Sequence, residues 1–542
     1  IGDSSASSEA LASIFLGLIR GSKSSHEDFA LTTWTSSKKS TVIDWLTRLN
    51  HPELQSGFDK RVPISFVTPA TLVSGKEMAI QLSLPRRSTS TVSVVETQVF
   101  GRKVQRLDGQ SPVGSANRTL ELGHIRHLWE NLPQTIKLDM DQLSSHMFIS
   151  GSTGAGKSNT LYEILEQISA AGVPFLVIEP AKGEYKNVFG QRPDVSVLGT
   201  NPAHSAMLRI NPFGFPAGIH VLEHVDRLIE IFNVCWPMYA AMPAVLKDAI
   251  LQAYQKCGWD LETSCNRYSE DLFPTFVDLL GTLEEVIAES AYSPESKGNY
   301  TGALCTRIKS LTNGLNGQLF GTGETDNTVL FDSNVIVDLS RIGSVETKAL
   351  IMGILIMRLS EHRMVSGGMN LPLQHVTVLE EAHNILKRSP EIGNEESGLV
   401  GKSVEMLTNA IAEMRTYGEG FIIVDQSPHA VDIAAIRNTN TKIIMRLPDE
   451  SDRRLLGKSI ALSDDQLEEI TRLPKGVAIV YQNDWLEPVL CQISKFRGKE
   501  TPYHYHPDKK NSISRYDFNL QLAKMLLITY LGVSTKVDTD LL

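Results

Sequence analysis

Residues 146–159 read HMFISGSTGAGKSN, a short apolar run that breaks into a glycine-rich loop and resumes as a helix-forming segment. That order of strand, phosphate cradle and helix decides the fold. Gly151, Gly154 and Gly156 let successive backbone N–H groups turn inward on an anion, and the following helix adds the positive end of its dipole. The run Gly151, Ser152, Thr153, Gly154, Ala155, Gly156, Lys157 and Ser158 fits G-x-x-x-x-G-K-[ST] without a gap, and Asn159 continues it into the helix. In such a loop the lysine reaches the β- and γ-phosphates and the hydroxyl of Ser158 ligates Mg²⁺. The stretch is a nucleoside triphosphate site, with ATP and Mg²⁺ as the expected cofactors.

The bulk properties leave room for more than one core. A chain of 542 residues is expected to form two or three domains. Its apolar fraction of 42% and charged fraction of 21% are those of ordinary globular proteins. Cys235, Cys257, Cys265, Cys305 and Cys491 show neither CxxC pairing nor even spacing, so reduced thiols in a cytoplasm are expected, without a disulfide framework or a Cys-based zinc site. The apolar runs Ala349 to Met357 and Met525 to Val533 fall well short of the roughly 20 residues a bilayer crossing needs, and the start has no signal-peptide pattern. Because the chain opens at Ile1, at least an initiator methionine is expected upstream. A net charge of −10 argues against a surface coated for nucleic acid. It leaves open a local channel, since affinity follows the few cations near phosphates.

Along the chain, residues 1 to about 60 are Ser-rich at their start and carry no legible chemistry. From Arg61 the runs VPISFVTP, EMAIQLSLP and STVSVVETQVFGRKVQRL alternate and break at turn residues, which predicts a small β-barrel or sandwich ending near Leu122-Gly123. From His146 strands and helices alternate, the pattern of a parallel sheet in an α/β fold. Helical spacing of Leu161, Ile164, Leu165 and Ile168 closes at Gly172. Further strands are expected at Pro174 to Ile178, Val335 to Leu339, Val376 to Leu379, Phe421 to Val424, Lys442 to Leu447 and Val477 to Tyr481. The interval from about 220 to 330 is too long for a loop and reads as an inserted helical subdomain. The domains expected are 1–135 (a leading segment and barrel), 136–499 (the ATPase core) and 500–542 (a tail with an amphipathic helix at Tyr516 to Leu531).

Hydrolysis requires a metal-holding carboxylate and a group to orient water, usually at the end of a neighbouring strand. His375-Val376-Thr377-Val378-Leu379-Glu380-Glu381 supplies both: Glu380 takes the metal-side position with Ser158, and Glu381 polarises the attacking water. Phe421 to Val424 leads into Asp425-Gln426, where Gln426 is placed to sense a γ-phosphate. Arg415, in AEMRTYGEG, precedes a glycine turn. From the residues alone it serves equally well as a charge for phosphoryl transfer or as a solvated helix end.

SHMFISGSTGAGKS, LVIEPAKGEY, LEEAHNIL, MRTYGEGFIIVDQSP and IRNTNTKIIMRLPDESDRR together resemble the successive blocks of the HerA/FtsK superfamily, HerA-type ATPases above all. The resemblance spans about residues 120 to 495. It implies a RecA-like P-loop core behind a barrel of the HerA and ATP-synthase type. It matches Lys157 and Ser158 to the Walker A pair, Glu381 to the catalytic glutamate, Gln426 to the sensor glutamine and Arg415 to an arginine finger acting on a neighbouring subunit. Arg437-Asn438 and Asn440-Thr441-Lys442 match the block after the sensor without a clear role. Glu380 stands where Asp is usual, and Lys387 to Lys402 lengthens the connection between blocks, offering a partner surface or a mobile loop. A hexameric ring with DNA in its channel is implied, and Arg307 and Lys309 are candidates for lining it, although a solvated face suits each as well.

The leading expectation is a DNA translocase or helicase working with a separate nuclease or sirtuin-like effector, in repair or antiphage defence. A type IV secretion or conjugation ATPase and a nucleotide-gated scaffold are the alternatives. His504 and His506 lack Cys or acidic neighbours at metal spacing and read as a surface tail.

Overall fold

The computed structural model describes residues 5–20, 37–49, 97–107, 118–236, 238–239, 241–388 and 395–505, with isolated positions between 54 and 94 and at 522–524. The chain divides after Glu96 into two units. In the first, helices span Ser5–Arg20 and Ser37–Thr47, and Leu54–Gln55 pairs antiparallel with Phe66–Val67. The expected barrel lies largely outside the described residues, as does the terminal helix apart from a helical piece at 522–524.

The second unit is built on a twelve-stranded sheet. In chain order its strands are β1 (Thr119–His127), β2 (Glu130–Asp139), β3 (Met147–Ser150), β4 (Phe175–Glu179), β5 (Val195–Gly199), β6 (Ala206–Met207), β7 (Asn334–Asp338), β8 (His375–Glu380), β9 (Glu419–Asp425), β10 (Thr441–Ile444), β11 (Val477–Gln482) and β12 (Val489–Ile493). Their spatial order is β2-β1-β12-β11-β10-β3-β9-β8-β4-β7-β5-β6. From β10 to β6 all neighbours are parallel, whereas the β11, β12, β1 and β2 end is antiparallel. β1 and β2 belong to this sheet, so a boundary at 135/136 is corrected to one upstream of β1. Their half-exposed alternation is that of an antiparallel hairpin, a pattern that a barrel strand also shows.

The middle strands read as near-continuous apolar runs because both faces are covered. Met147 and Ile149 of β3 pack toward helix α1 (Lys157–Ala170), whose Leu161, Ile164, Leu165 and Ile168 are buried with them. Phe148, between them, points to the opposite face and the core shared with the helical insert. That insert includes α2 (Val221–Cys235), Met242–Lys256, Phe276–Glu289 and shorter helices to Phe331, with a small pairing of Trp259–Asp260 on Cys265–Asn266. The apolar run around Ala349 lies in α3 (Val345–Ser366), a helix buried on most sides and packed on α2. No helix among the described residues is long and apolar enough to cross a membrane. Helix α4 (Glu395–Glu413) occupies much of the lengthened connection and leads into β9, and α5 (Glu450–Ser459) follows β10. The five cysteines are free.

Candidate functional site

Parallel strands place all their C-terminal ends on one edge of the sheet, and ligands of open α/β sheets bind in the crevice outside that edge. The loop after β3, Asp425-Gln426 after β9, Glu380-Glu381 after β8 and Glu179 at the end of β4 all lie there. Ser150 pairs with Asp425, and Glu380 with Val424. This corrects one expectation: the strand bearing Glu380 is not next to the P-loop strand, because β9 runs between β3 and β8. The intervening strand places Gln426 between the phosphate loop and Glu381.

Gln426 makes that bridge. Thr153 Oγ1 donates to its Oε1 at 2.7 Å, and its Nε2 donates to Glu381 Oε1 at 2.5 Å. Lys157 Nζ donates to the Gly151 carbonyl. Burial pulls the lysine below its ordinary range, against the nearby charges of Glu381 and Glu380. The loop geometry needs its glycines. Gly156 sits at φ 120°, and a Cβ on Gly151 would come 2.7 Å from Met445 Cβ. The Ser158 hydroxyl lies one residue into α1. Asn159 behaves differently from expectation, since its amide is committed elsewhere: Nδ2 donates to the Ser494 carbonyl at 2.9 Å and Oδ1 accepts from Phe496 N–H at 3.0 Å. It fastens the segment after β12 to α1, where Phe496 packs on Tyr162 and Phe189.

Glu381 adopts a left-handed backbone, φ 46° and ψ 53°. For a residue with a Cβ this costs roughly 1–2 kcal/mol, a strain that collects at functional positions. The turn is held by Asn384, whose N–H and Nδ2 both donate to the Glu381 carbonyl, the latter at 2.7 Å. His383 stands beside it at 3.6 Å, fixed by Asp425, whose Oδ2 accepts from the His383 backbone N–H and from Nδ1, both at 2.9 Å. The hydrogen bond to Asp425 raises the imidazole pKa against the opposing effect of burial. Glu381, His383 and Asp425 could together hold a cation, but Asp425 also accepts from Ser427 N–H, so its oxygens are already engaged. They read better as the frame that aims Glu381.

Glu380 is oriented by a residue the sequence did not point to. Tyr185 Oη donates to its Oε1 at 2.8 Å, and burial together with the charge of Glu381 raises its pKa. One oxygen is thereby engaged, so Glu380 suits an outer-sphere role toward a cation better than direct ligation. Beneath it Glu179 accepts from the N–H groups of Glu184 and Tyr185, and burial lifts it to about 8 with Glu380 and Asp338 adding to the effect. Lys186 and Asp338 complete the layer at 2.5 Å. The block EPAKGEY thus supports the carboxylates from below.

Arg415 lies at the opposite edge. It is exposed in the 3₁₀ turn Met414–Tyr417 just before β9, which begins at Glu419 and delivers Asp425 to the nucleotide side. Seven residues of strand span roughly 20 Å. The guanidinium therefore does not join its own chain's cluster. Arg307 pairs loosely with Glu346 at 3.8 Å, and Lys309 is exposed. His504 is exposed and His506 lies outside the described residues.

The family profile described as helicase HerA, central domain, matches residues 120–359. The DNA double-strand break repair helicase HerA of Sulfurisphaera tokodaii is 22% identical over 372 residues, 67% of this chain and 68% of that protein. The probable helicase MJECL08 of Methanocaldococcus jannaschii is 23% identical, with 71% of this chain and 72% of that protein covered. Among solved structures, VirB4 of Thermoanaerobacter pseudethanolicus aligns with a TM-score of 0.54 at 18% identity, covering 71% of this chain and 98% of that one. The plasmid coupling protein TrwB in complex with ADP and Mg²⁺ aligns with a TM-score of 0.50 at 14% identity, covering 75% of this chain and 99% of that one. Both share the fold of the sheet and its flanking helices.

Proposed function

From the premise that this chain is an ATP-hydrolysing member of the HerA/FtsK superfamily, we propose that it is a ring-forming DNA translocase whose ATP sites are completed between subunits. The observation that carries the reading is the polarity of β9: the sensor Gln426 follows its end, and Arg415 precedes its start. Along the crevice, Lys157 and the N–H groups of residues 151–158 hold the β- and γ-phosphates. Glu381, aimed by Gln426 and the His383–Asp425 pair, draws a proton from water as it attacks the γ-phosphorus and the bond to the β-phosphate oxygen breaks. Ser158, with Glu380 in the outer sphere, would hold Mg²⁺, which neutralises phosphate charge when bound. Arg415 serves the site of the next subunit, where its charge stabilises the transferring phosphoryl group.

Hydrolysis that depends on the adjacent copy passes from seam to seam, which is what a strand-moving motor requires. A hexamer is the expected ring, and a separate nuclease or sirtuin-like effector, in repair or antiphage defence, would use the movement. The test is ATP turnover of the purified chain with and without duplex DNA, alongside Glu381→Gln. Stimulation by DNA in the parent and loss of turnover in the variant are expected. Turnover indifferent to DNA removes the translocase reading in favour of a protein-export motor.

A further inference from the structure

Beyond β10 lies a cavity of about 640 Å³ lined by Arg437, Lys442, Arg454 and Lys458, with Ile433, Ile436, Leu455, Ser459 and Asn483 as its remaining walls. Four cations converge there in a chain whose net charge is −10. Lys442 forms the floor. It is 2% exposed, and its Nζ donates to the Thr439 carbonyl at 2.7 Å. Burial pushes its pKa down to about 8, and no carboxylate among the described residues holds it up. A buried ammonium with two protons unused and no counter-charge is costly unless an anion visits it.

The rim is as informative. Arg437 is exposed and has no ion pair among the described residues. Arg454 and Lys458 are paired with Glu450 and Asp464, but all four side chains are more than half exposed, so a polyanion can displace these weak bridges. Among the described residues no aromatic side chain lines the cavity, so none of them offers to stack a base. The cations run from the buried floor to the exposed rim, in a cavity of about 640 Å³. The block Arg437 to Lys442, which the nucleotide site leaves without a role, supplies two of them. Lys442 is the second residue of β10, level with Phe148 of β3 and Ile423 of β9, and its ammonium turns back to Thr439 ahead of the strand, away from the P-loop that follows β3.

We propose that this cavity binds the phosphodiester backbone of a nucleic-acid strand, independently of sequence. The inference rests on the translocase reading and names a contact for its DNA. The test measures anisotropy of a fluorescein-labelled single-stranded oligonucleotide, and of its duplex, with the full chain across a range of salt. Arg437→Glu/Lys458→Glu is compared with the parent and with Lys256→Glu/Arg267→Glu, a charge-matched control on the helical insert. The cavity variant should bind at least about tenfold more weakly, with the salt slope reduced by about 1.5, as the loss of two phosphate contacts implies. The control should bind like the parent, and ATP turnover without DNA should be the same in all three.

If the parent binds DNA and the cavity variant binds it equally, with the same salt slope, the assignment falls and the translocase reading stands. A parent that binds no DNA takes both down. If calorimetry shows inorganic tripolyphosphate bound by the parent and lost in the cavity variant while oligonucleotide binding persists, the cavity serves a free polyphosphate and the assignment is likewise overturned.

Discussion

If Arg415 acts across a subunit seam, two inactive variants should restore each other. Lys157→Ala removes the P-loop lysine and leaves Arg415 intact, while Arg415→Ala does the reverse. Each alone should fall to the floor, the arginine variant by about 10³–10⁵-fold if it behaves as other trans arginines do. In a random equimolar mixture a seam works when the site comes from an Arg415→Ala subunit and the guanidinium from a Lys157→Ala subunit. Each condition holds half the time, so roughly a quarter of seams in a closed head-to-tail ring are competent whatever its size. Phosphate release measured after mixing under exchange conditions should therefore climb from the floor toward a quarter of parental turnover. The roughly 20 Å between the two ends of β9 is the structural basis, since it exceeds the reach of any arginine side chain. A mixture that stays at the floor while native mass shows mixed rings would refute the reasoning.

Three further outcomes follow from particular contacts. Gln426→Leu severs the link between Thr153 and Glu381, and turnover should fall by about 10²-fold with ATP affinity, read by calorimetry, unchanged. Asn159→Ala should lower stability by roughly 1–3 kcal/mol in urea melts, since it strands the Ser494 carbonyl and Phe496 N–H, and should leave ATP affinity alone. An affinity loss would return that side chain to the nucleotide. Glu419 is wholly buried; burial alone would raise its pKa, but His375, Arg363 and Thr377 outweigh it and hold it below the ordinary 4.5. Its carboxylate thus contributes stability that is complete above pH 4.5 and is lost as pH falls through the depressed folded value. Glu419→Gln should cost about 3–5 kcal/mol at neutral pH, with the gap to the parent narrowing below pH 4.5 in thermal melts; a gap independent of pH would contradict this.

The parts of the site that were legible in the sequence are those whose chemistry is contiguous. The run from Gly151 to Ser158, the pair after β8 and the Asp-Gln pair after β9 each announce themselves, because a buried strand is an apolar run and its polar end must face the crevice. What joins them is long-range. Nothing local says that β9 runs between β3 and β8, nor that Tyr185 reaches Glu380 across 195 positions of chain. Asn159 has a nucleotide-loop position, yet its side chain belongs to a strand end more than three hundred residues away. The hairpin of β1 and β2 has the alternation of any half-exposed antiparallel pair, so only its pairing with β12 assigns it to the main sheet. Arg415 was undecided locally because its meaning depends on which edge of the sheet it occupies.

The left-handed turn at Glu381 has a practical corollary for anyone evolving this protein. Glycine is at ease at φ 46°, so Glu381→Gly relieves a local penalty of about 1 kcal/mol while deleting the carboxylate we propose activates water. Heat-challenge selection run without a catalytic readout would enrich for hardier, lifeless clones carrying that change.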